Sequence, residues 1–404
     1  MSYDDPTLKE FAGYFEAKEP GRRERADAWA TAIGLQKVDG LSTSRFLVET
    51  AKQHIEGRIT QAQARRRIRD YYAAKDETDR PDPELEEPDK VAERIVAVIN
   101  DGGFAFTPEY FISIHKKLFS GVLSSAGKLR TVNIRKHEWV LKEASVTYGD
   151  AATLKQSLVR DFADEREFDY GGKPPAEIIP HFARFIAQIW QVHPFGEGNT
   201  RTTAVFAIKY LESLGYRASN NMFKENSWYF RNALVRANYA DYEQGVKRDW
   251  GYLEKFFRNL LLNETHELKS RYLLIGLSAG DLRELKTLSD RTQKGGQKKA
   301  VRKGGQKILS LLGLATRSRN VVSGEFMTEK SVKEGSAKLV IVADDASDNT
   351  KKEFRDMCSF YKVPCYCLST KSELGKCMGK EMRASLSVTD SGFAKSIMKL
   401  IDNE

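Results

Sequence analysis

The residues of this chain best suited to chemistry lie in one short run, His193-Pro194-Phe195-Gly196-Glu197-Gly198-Asn199-Thr200-Arg201. An imidazole with a near-neutral pKa can take a proton from a hydroxyl. Glu197, four residues on, can hold a hard cation such as Mg2+ through oxygen. Gly198 and Asn199 admit unusual backbone angles, and the amides that follow can form an anion nest at a helix start, where the dipole favours negative charge. Arg201 offers phosphate a planar fork. Base, cation ligand, nest and guanidinium are the parts that phosphoryl or nucleotidyl transfer needs for alignment and charge neutralisation. By composition alone they would also serve a phosphatase.

Two amphipathic patterns position the run. Upstream, Ile178, Ile179, Phe182, Phe185, Ile186 and Ile189 recur at helical spacing, which predicts a helix over Pro175–Gln191. Downstream, Val205, Phe206, Ile208, Leu211 and Leu214 predict one over Arg201–Leu214. Further helices are expected near Val91–Asn100, Pro108–Phe119, Leu154–Ala163, Ser227–Asn238 and Trp250–Leu262, so residues 90–265 read as one mainly helical body. One stretch breaks the pattern: Gly127–Ile134, followed by His137–Val140, alternates as a β-hairpin would. Such a hairpin is marginal unless it docks on something.

Before this body, residues 22–75 read as a compact helical unit with a turn at Asp39-Gly40, and it is too small to be robust alone. Lys75–Asp89, with three prolines, reads as a linker. Residues 285–306 are basic and Gly/Gln-rich, with a short duplication, and read as a flexible linker without a phosphate-loop pattern. Beyond them the pattern changes. Lys338–Ala343 is a near-continuous apolar run, Lys351–Tyr361 reads as a helix, Val363–Leu368 as a short strand and Ala394–Ile401 as a helix. Residues 307–404 are therefore expected to form a small three-layer α/β/α sandwich. The fold class is multidomain: an all-α body with a β-hairpin flap, then this sandwich.

Charge divides the chain at the same place. Ser289–Glu404 holds 22 Lys and Arg against 14 Asp and Glu, whereas the preceding residues hold 43 against 42. That asymmetry points to a polyanionic partner for the second module. All four cysteines (Cys358, Cys365, Cys367, Cys377) lie there too, at spacings unlike zinc ligand pairs, and are expected to be buried reduced thiols. No run approaches a membrane span and the acidic start is no signal peptide, so a soluble, cytoplasmic protein without a membrane partner is expected.

The central run resembles the signature of the Fic family, His-x-Phe-x-Asp/Glu-Gly-Asn-x-Arg between two helices, with every fixed position filled. The resemblance covers roughly Val91–Leu262. It implies an AMP transferase acting from ATP with Mg2+ on a hydroxyl of a target protein. On that resemblance His193 is the general base, Glu197 the metal ligand, Gly198 and Asn199 the anion hole, and Arg201 a phosphate ligand. Phe195 anchors the loop in the core. The stretch around Gly127–Ile134 corresponds to the flap that docks the target segment by strand addition. Tyr229 and Asn232 fall where the family places adenine. Two positions depart from the pattern: Thr200 stands where glycine is usual, and Ala204 replaces a second arginine, so the γ-phosphate loses a partner.

Ala26–Tyr72 resembles the antitoxin module of Fic toxin–antitoxin pairs, whose glutamate inhibits by pairing with that second arginine. Here Leu35 replaces its hydroxyl residue and Asp39 its glutamate. The particular lock is therefore expected to be absent, leaving a scaffold or an altered brake. Residues 307–401 resemble the ribosomal-protein family that binds kink-turn RNA, over Ile308–Ala315, Val321–Gly324 and Lys338–Ala346. The resemblance implies RNA contacts by Gly324, Glu325 and Lys330, with Lys376, Lys380 and Arg383 in a second contact loop, Lys371–Ser385. Two functions follow: a protein adenylyltransferase with an appended RNA-binding module, or an RNA-binding protein whose Fic body is inactive or transfers something other than AMP.

Overall fold

The computed structural model describes residues 10–15, 19–73, 82–142, 144–216, 222–276, 303–318, 320–346, 348–379 and 382–401. The chain forms two compact units, Met1–Lys286 and Thr287–Glu404. Most of the expected basic linker lies outside the described residues. No described helix is long and apolar enough to cross a membrane.

The first unit is helical: α1 (Pro20–Gln36), α2 (Arg45–Ile55), α3 (Gln61–Ala73), α4 (Glu86–Asn100), α5 (Pro108–Phe119), α6 (Leu154–Arg166), α7 (Pro175–Val192), α8 (Asn199–Ser213), α9 (Met222–Asn238) and α10 (Gly251–Leu262). Helix starts follow capping chemistry. The Thr107 side chain accepts from the Tyr110 amide and Pro108 opens α5. Ser44 does the same for α2 through Leu47. Phe185 and Phe206, predicted to face inward, do so, and are in ring contact with buried Phe111 and Phe162.

Residues 22–75 do not stand alone: α1 packs on α4 and α9, and its Trp29 and Ile33 belong to the same core as the body. The presumed linker is shorter than expected. Glu86–Asp89 is already the first turn of α4, and buried Asp89 accepts from the Ser44 amide (2.8 Å) and the Tyr72 hydroxyl (2.7 Å), tying α2 and α3 to the body.

The flap pairs in a different register from the one expected. Its strands are β1 (Arg135–His137) and β2 (Ser145–Thr147), antiparallel with Lys136 opposite Val146. Gly127–Ile134 is irregular instead. There the Arg130 amide donates to the Pro194 carbonyl, which holds the segment against the central loop rather than in a ladder.

The second unit alternates helix and strand: α11 (Lys303–Arg317), β3 (Val321–Ser323), α12 (Glu325–Lys333), β4 (Leu339–Val342), α13 (Asp348–Tyr361), β5 (Cys365–Cys367), α14 (Lys371–Cys377), β6 (Ser385–Val388) and α15 (Ser391–Ile401). The sheet is mixed, in the order β3-β6-β4-β5, with β4 and β5 parallel and the other pairs antiparallel. β4 and β6 are central and buried along their whole length, as the apolar run of β4 requires. The helices pack in two groups, α11 with α14 and α15, and α12 with α13. Cys358 is buried as expected, but Cys367, at the end of edge strand β5, is exposed; all four thiols are free.

Candidate active site

His193 is the residue after α7 and adopts a left-handed backbone (φ 49°, ψ 58°), which turns the chain out of the helix. Its ring is buried, stacked on Tyr148 at 3.7 Å and edge-on to Trp190 at 5.3 Å. Nδ1 lies 3.2 Å from the Trp190 carbonyl. A carbonyl can only accept, so Nδ1 carries the proton and Nε2 keeps its lone pair. Burial first, then the positive charges of Lys136, Arg231 and Arg130, hold the imidazole well below its ordinary pKa. The result is a neutral, oriented acceptor.

The loop after it is fixed from three sides. The Asn199 carboxamide closes it: Oδ1 accepts from the Phe195 amide (3.0 Å) and Nδ2 donates to the Phe195 carbonyl (2.8 Å). What Asn199 can offer an anion is thus its backbone at the start of α8, not its side chain. Thr200 accepts from the Trp190 indole at 3.0 Å, so the residue standing where glycine is usual ties α8 to α7. Gly198 is left-handed (φ 72°), and a Cβ there would meet the Phe119 ring at 2.4 Å. The third side is His115 of α5, stacked on Phe195 at 3.7 Å. Its Nδ1 accepts from the Gly127 amide (2.9 Å), and its Nε2 donates to the Glu197 carbonyl (3.1 Å). Burial lowers its pKa to about 4.

Arg130 secures the exit of α7. Its guanidinium donates to the carbonyls of His193 (2.8 Å), Val132 (2.7 Å) and Gly149, where the free carbonyls of a helix end favour a cation. Nothing in the spacing of Arg130 or His115 marks them, since each reaches the loop from a remote segment.

Arg201, on the first turn of α8, is buried above the Phe119 ring (4.8 Å). Its guanidinium is enclosed by protein groups. Nη1 donates to Gln36 (3.0 Å), Nη2 donates to Glu87 (2.8 Å), and Nε lies 2.8 Å from the Asp39 carboxylate as an ion pair without hydrogen-bond alignment. The other oxygen of Asp39 accepts from Nη1 of Arg231 (3.0 Å). Asp39 thus pairs with the first arginine of the signature rather than with a second one. Ala204, at the position of the second arginine, is indeed buried in the core and offers no target. Asp39 nevertheless reaches the loop, because the 3-10 turn Lys37–Asp39 after α1 presents it to the first arginine instead.

The remaining candidates separate. The Glu197 carboxylate is exposed and makes no hydrogen bond or ion pair among the described residues, as a cation ligand would require. No group of three or more His, Cys, Asp or Glu side chains that could hold a metal ion occurs among those residues. Tyr229 lines a cavity of about 440 Å3 with Trp139, Trp228, Glu225 and Asn226, and its hydroxyl donates to the Tyr252 carbonyl at 3.2 Å. Asn232 is fully buried, and neither of its amide atoms has a hydrogen-bond partner among the described residues.

In the second unit, Gly324 caps α12 at φ 102°, a conformation open to glycine alone, and its amide donates to the Ser385 carbonyl. Glu325 and Lys330 follow on α12 and are exposed. Arg383 lies 3.4 Å from the Ser323 hydroxyl, which brings the second contact segment against this glycine. Half of that segment, Lys371–Cys377, is helix rather than loop, because Thr370 and Glu373 form a reciprocal capping box. Lys376 is exposed on that helix and lines a groove with Leu309, Gly313 and Arg317 of α11. Lys380 lies outside the described residues.

Comparison with known proteins follows the same division. Residues 105–211 match the Fic/DOC family, and residues 306–398 match the ribosomal protein L7Ae/L30e/S12e/Gadd45 family. "RNA-binding protein YlxQ" of Bacillus subtilis is 45% identical over 98 residues, 24% of this chain and 98% of that protein. "Protein adenylyltransferase VbhT" of Bartonella schoenbuchensis is 28% identical over 150 residues, 34% of this chain and 30% of that protein. The crystal structure of a Fic family protein from Desulfovibrio desulfuricans is similar at 12% identity, covering 70% of this chain and 82% of that one, with a TM-score of 0.41. The chain therefore carries a Fic/DOC-family domain and, through residues 306–398, belongs to the ribosomal protein L7Ae/L30e/S12e/Gadd45 family.

Proposed function

We propose that the first unit transfers AMP from ATP to a hydroxyl side chain of a target protein and that the second binds structured RNA. The observation that carries the first reading is His193, whose Nδ1 is committed to the Trp190 carbonyl while Nε2 stays an acceptor. The target hydroxyl oxygen attacks the α-phosphorus, its proton passes to Nε2, and the bond to the bridging oxygen breaks as pyrophosphate leaves. Arg201 and the amides at the start of α8 hold phosphate oxygens. Magnesium, carried by the exposed Glu197, supplies charge neutralisation when bound. Tyr229 and Asn232 remain the candidates for the nucleobase, Asn232 because its buried amide lacks partners. The relative described as a protein adenylyltransferase supports this reading.

RNA binding is supported by the relative described as an RNA-binding protein, by the basic charge of the second unit and by the glycine-led start of α12. Gly324 and Arg383 form one contact face there, with Glu325 and Lys330 beside it on α12.

The N-terminal turn acts as an altered brake, because Gln36 and Asp39 occupy the Nη1 and Nε edges of Arg201 that phosphate would need. That same observation favours the second reading, an RNA-binding protein whose Fic body is held inactive. ATP labelled at the α-phosphate decides between them. Label should appear on protein with the wild-type chain and vanish with His193→Ala. Label at the γ-position only would mean kinase chemistry, and no label under any condition would leave the RNA-binding reading.

A further inference from the structure

We infer that Arg231 is the second phosphate ligand of this site, taking the place that Ala204 leaves empty and gripping the terminal phosphates of a nucleoside triphosphate together with Arg201; this rests on the AMP-transfer reading. Arg201 and Arg231 come from different helices, α8 and α9, yet both reach one carboxylate. Asp39 lies 2.8 Å from Nε of Arg201 and 3.0 Å from Nη1 of Arg231. Two oxygens of one carboxylate thus bridge the gap between the guanidiniums, and two oxygens of one phosphate group have nearly the same span.

The remaining contacts of the two arginines fall into two sets. One set comes from the body and fixes orientation: Glu87 holds Nη2 of Arg201 (2.8 Å), and buried Glu138 holds Nη2 and Nε of Arg231 (2.8 and 3.2 Å). The other set comes from one short stretch of chain. Gln36 and Asp39 occupy Nη1 and Nε of Arg201, while the Val38 carbonyl and Asp39 occupy Nη1 of Arg231. A shift of the turn Lys37–Asp39, which ends at left-handed Gly40, frees Nε of Arg201 and Nη1 of Arg231 together, with Gln36 of α1 still on Nη1 of Arg201 and each arginine still held by a carboxylate of the body. Freed donors on two pre-oriented guanidiniums make a clamp for polyphosphate. Glu138, which holds Arg231, also accepts from the Tyr148 hydroxyl, and Tyr148 stacks on His193 at 3.7 Å, which places the clamp near the base.

Calorimetric titration of the full chain with Mg·ATP and with AMP tests this, using Asp39→Ala as the parent so that the turn no longer competes. Adding Arg231→Gln should weaken Mg·ATP by about tenfold or more, as loss of one charge-assisted phosphate contact does, while AMP affinity moves less than about twofold. Because Arg231→Gln strands buried Glu138, the pair Glu138→Gln/Arg231→Gln is titrated alongside, and it should show the same loss with the fold intact by circular dichroism. Unchanged Mg·ATP affinity in both variants, with Arg201→Gln still weakening it, overturns the assignment of Arg231 and leaves the AMP-transfer reading standing. Parent protein that binds Mg·ATP no better than AMP, and is insensitive to Arg201→Gln, overturns both.

Discussion

His115 holds the loop as a neutral ring, and that sets a pH dependence. In the folded chain its pKa is about 4, against an ordinary value near 6.5, because burial penalises the charged form. Between those values the unfolded chain binds a proton that the folded chain does not, so stability rises with pH there and is lost as pH falls through about 6.5 toward 4. At pH 5 the loss is on the order of 2 kcal/mol relative to pH 7. Gln at this position can still donate to the Glu197 carbonyl but cannot be protonated. His115→Gln should therefore be less stable than wild type at pH 7, by about 1–3 kcal/mol for the lost stacking and packing. The gap should shrink by roughly 2 kcal/mol at pH 5. Urea unfolding at the two pH values measures it, and a gap of constant size would mean that His115 does not titrate as the buried ring requires.

At the scale of the element, the question is how a brake can sit on a helix that cannot leave. Helix α1 buries Trp29 and Ile33 in the core of the whole unit, and the Trp29 indole donates to His54 at 2.9 Å. Removing residues 1–75 would strip that core rather than release a lid. Trp29→Ala should lower stability by about 3–5 kcal/mol and should reduce labelling with it. Asp39→Ala leaves α1 packed and takes one carboxylate from Arg201 and Arg231, which keep Glu87 and Glu138; it should raise α-label incorporation by on the order of tenfold, the ratio that 1.4 kcal/mol represents, with a smaller loss of melting temperature than Trp29→Ala. Equal labelling by Asp39→Ala and wild type would reduce the turn to a scaffold. Sequence made α1 legible as a helix and Asp39 as the altered residue, but not its new target. Gln36, Glu87, Glu138 and Arg231 meet only through the packing of α1, α4, α9 and the flap, and no local pattern encodes that meeting. The motif loop was readable because its parts are contiguous. The flap register was misread because Arg130, which looks like one more strand residue, spends its backbone and guanidinium on the loop.

The described residues form two cores, one in each unit, and nearly all of the net positive charge of the sequence lies with the second. That partition was visible in composition, since charge, cysteines and hydrophobic period all change near the same place. The order of the four strands was not, because β3 and β6 are short and neither carries a pattern that marks it as a strand. Separate cores imply separable functions. Binding of a kinked RNA stem by the full chain should weaken as salt rises, because Lys and Arg contacts to phosphate release counterions. Lys330→Glu and Arg383→Glu should each lower the affinity and flatten the salt dependence by about one phosphate contact, while α-label incorporation stays at the wild-type level. His193→Ala should do the reverse, removing label and leaving RNA affinity unchanged. The measurement is a fluorescence-anisotropy titration at several salt concentrations, with an unkinked duplex as comparison. Equal affinity for the two RNAs would reduce the second unit to a generally basic surface. An Arg383→Glu chain that binds the kinked stem as well as wild type would move the contact away from the face formed by Gly324, Ser323 and Arg383.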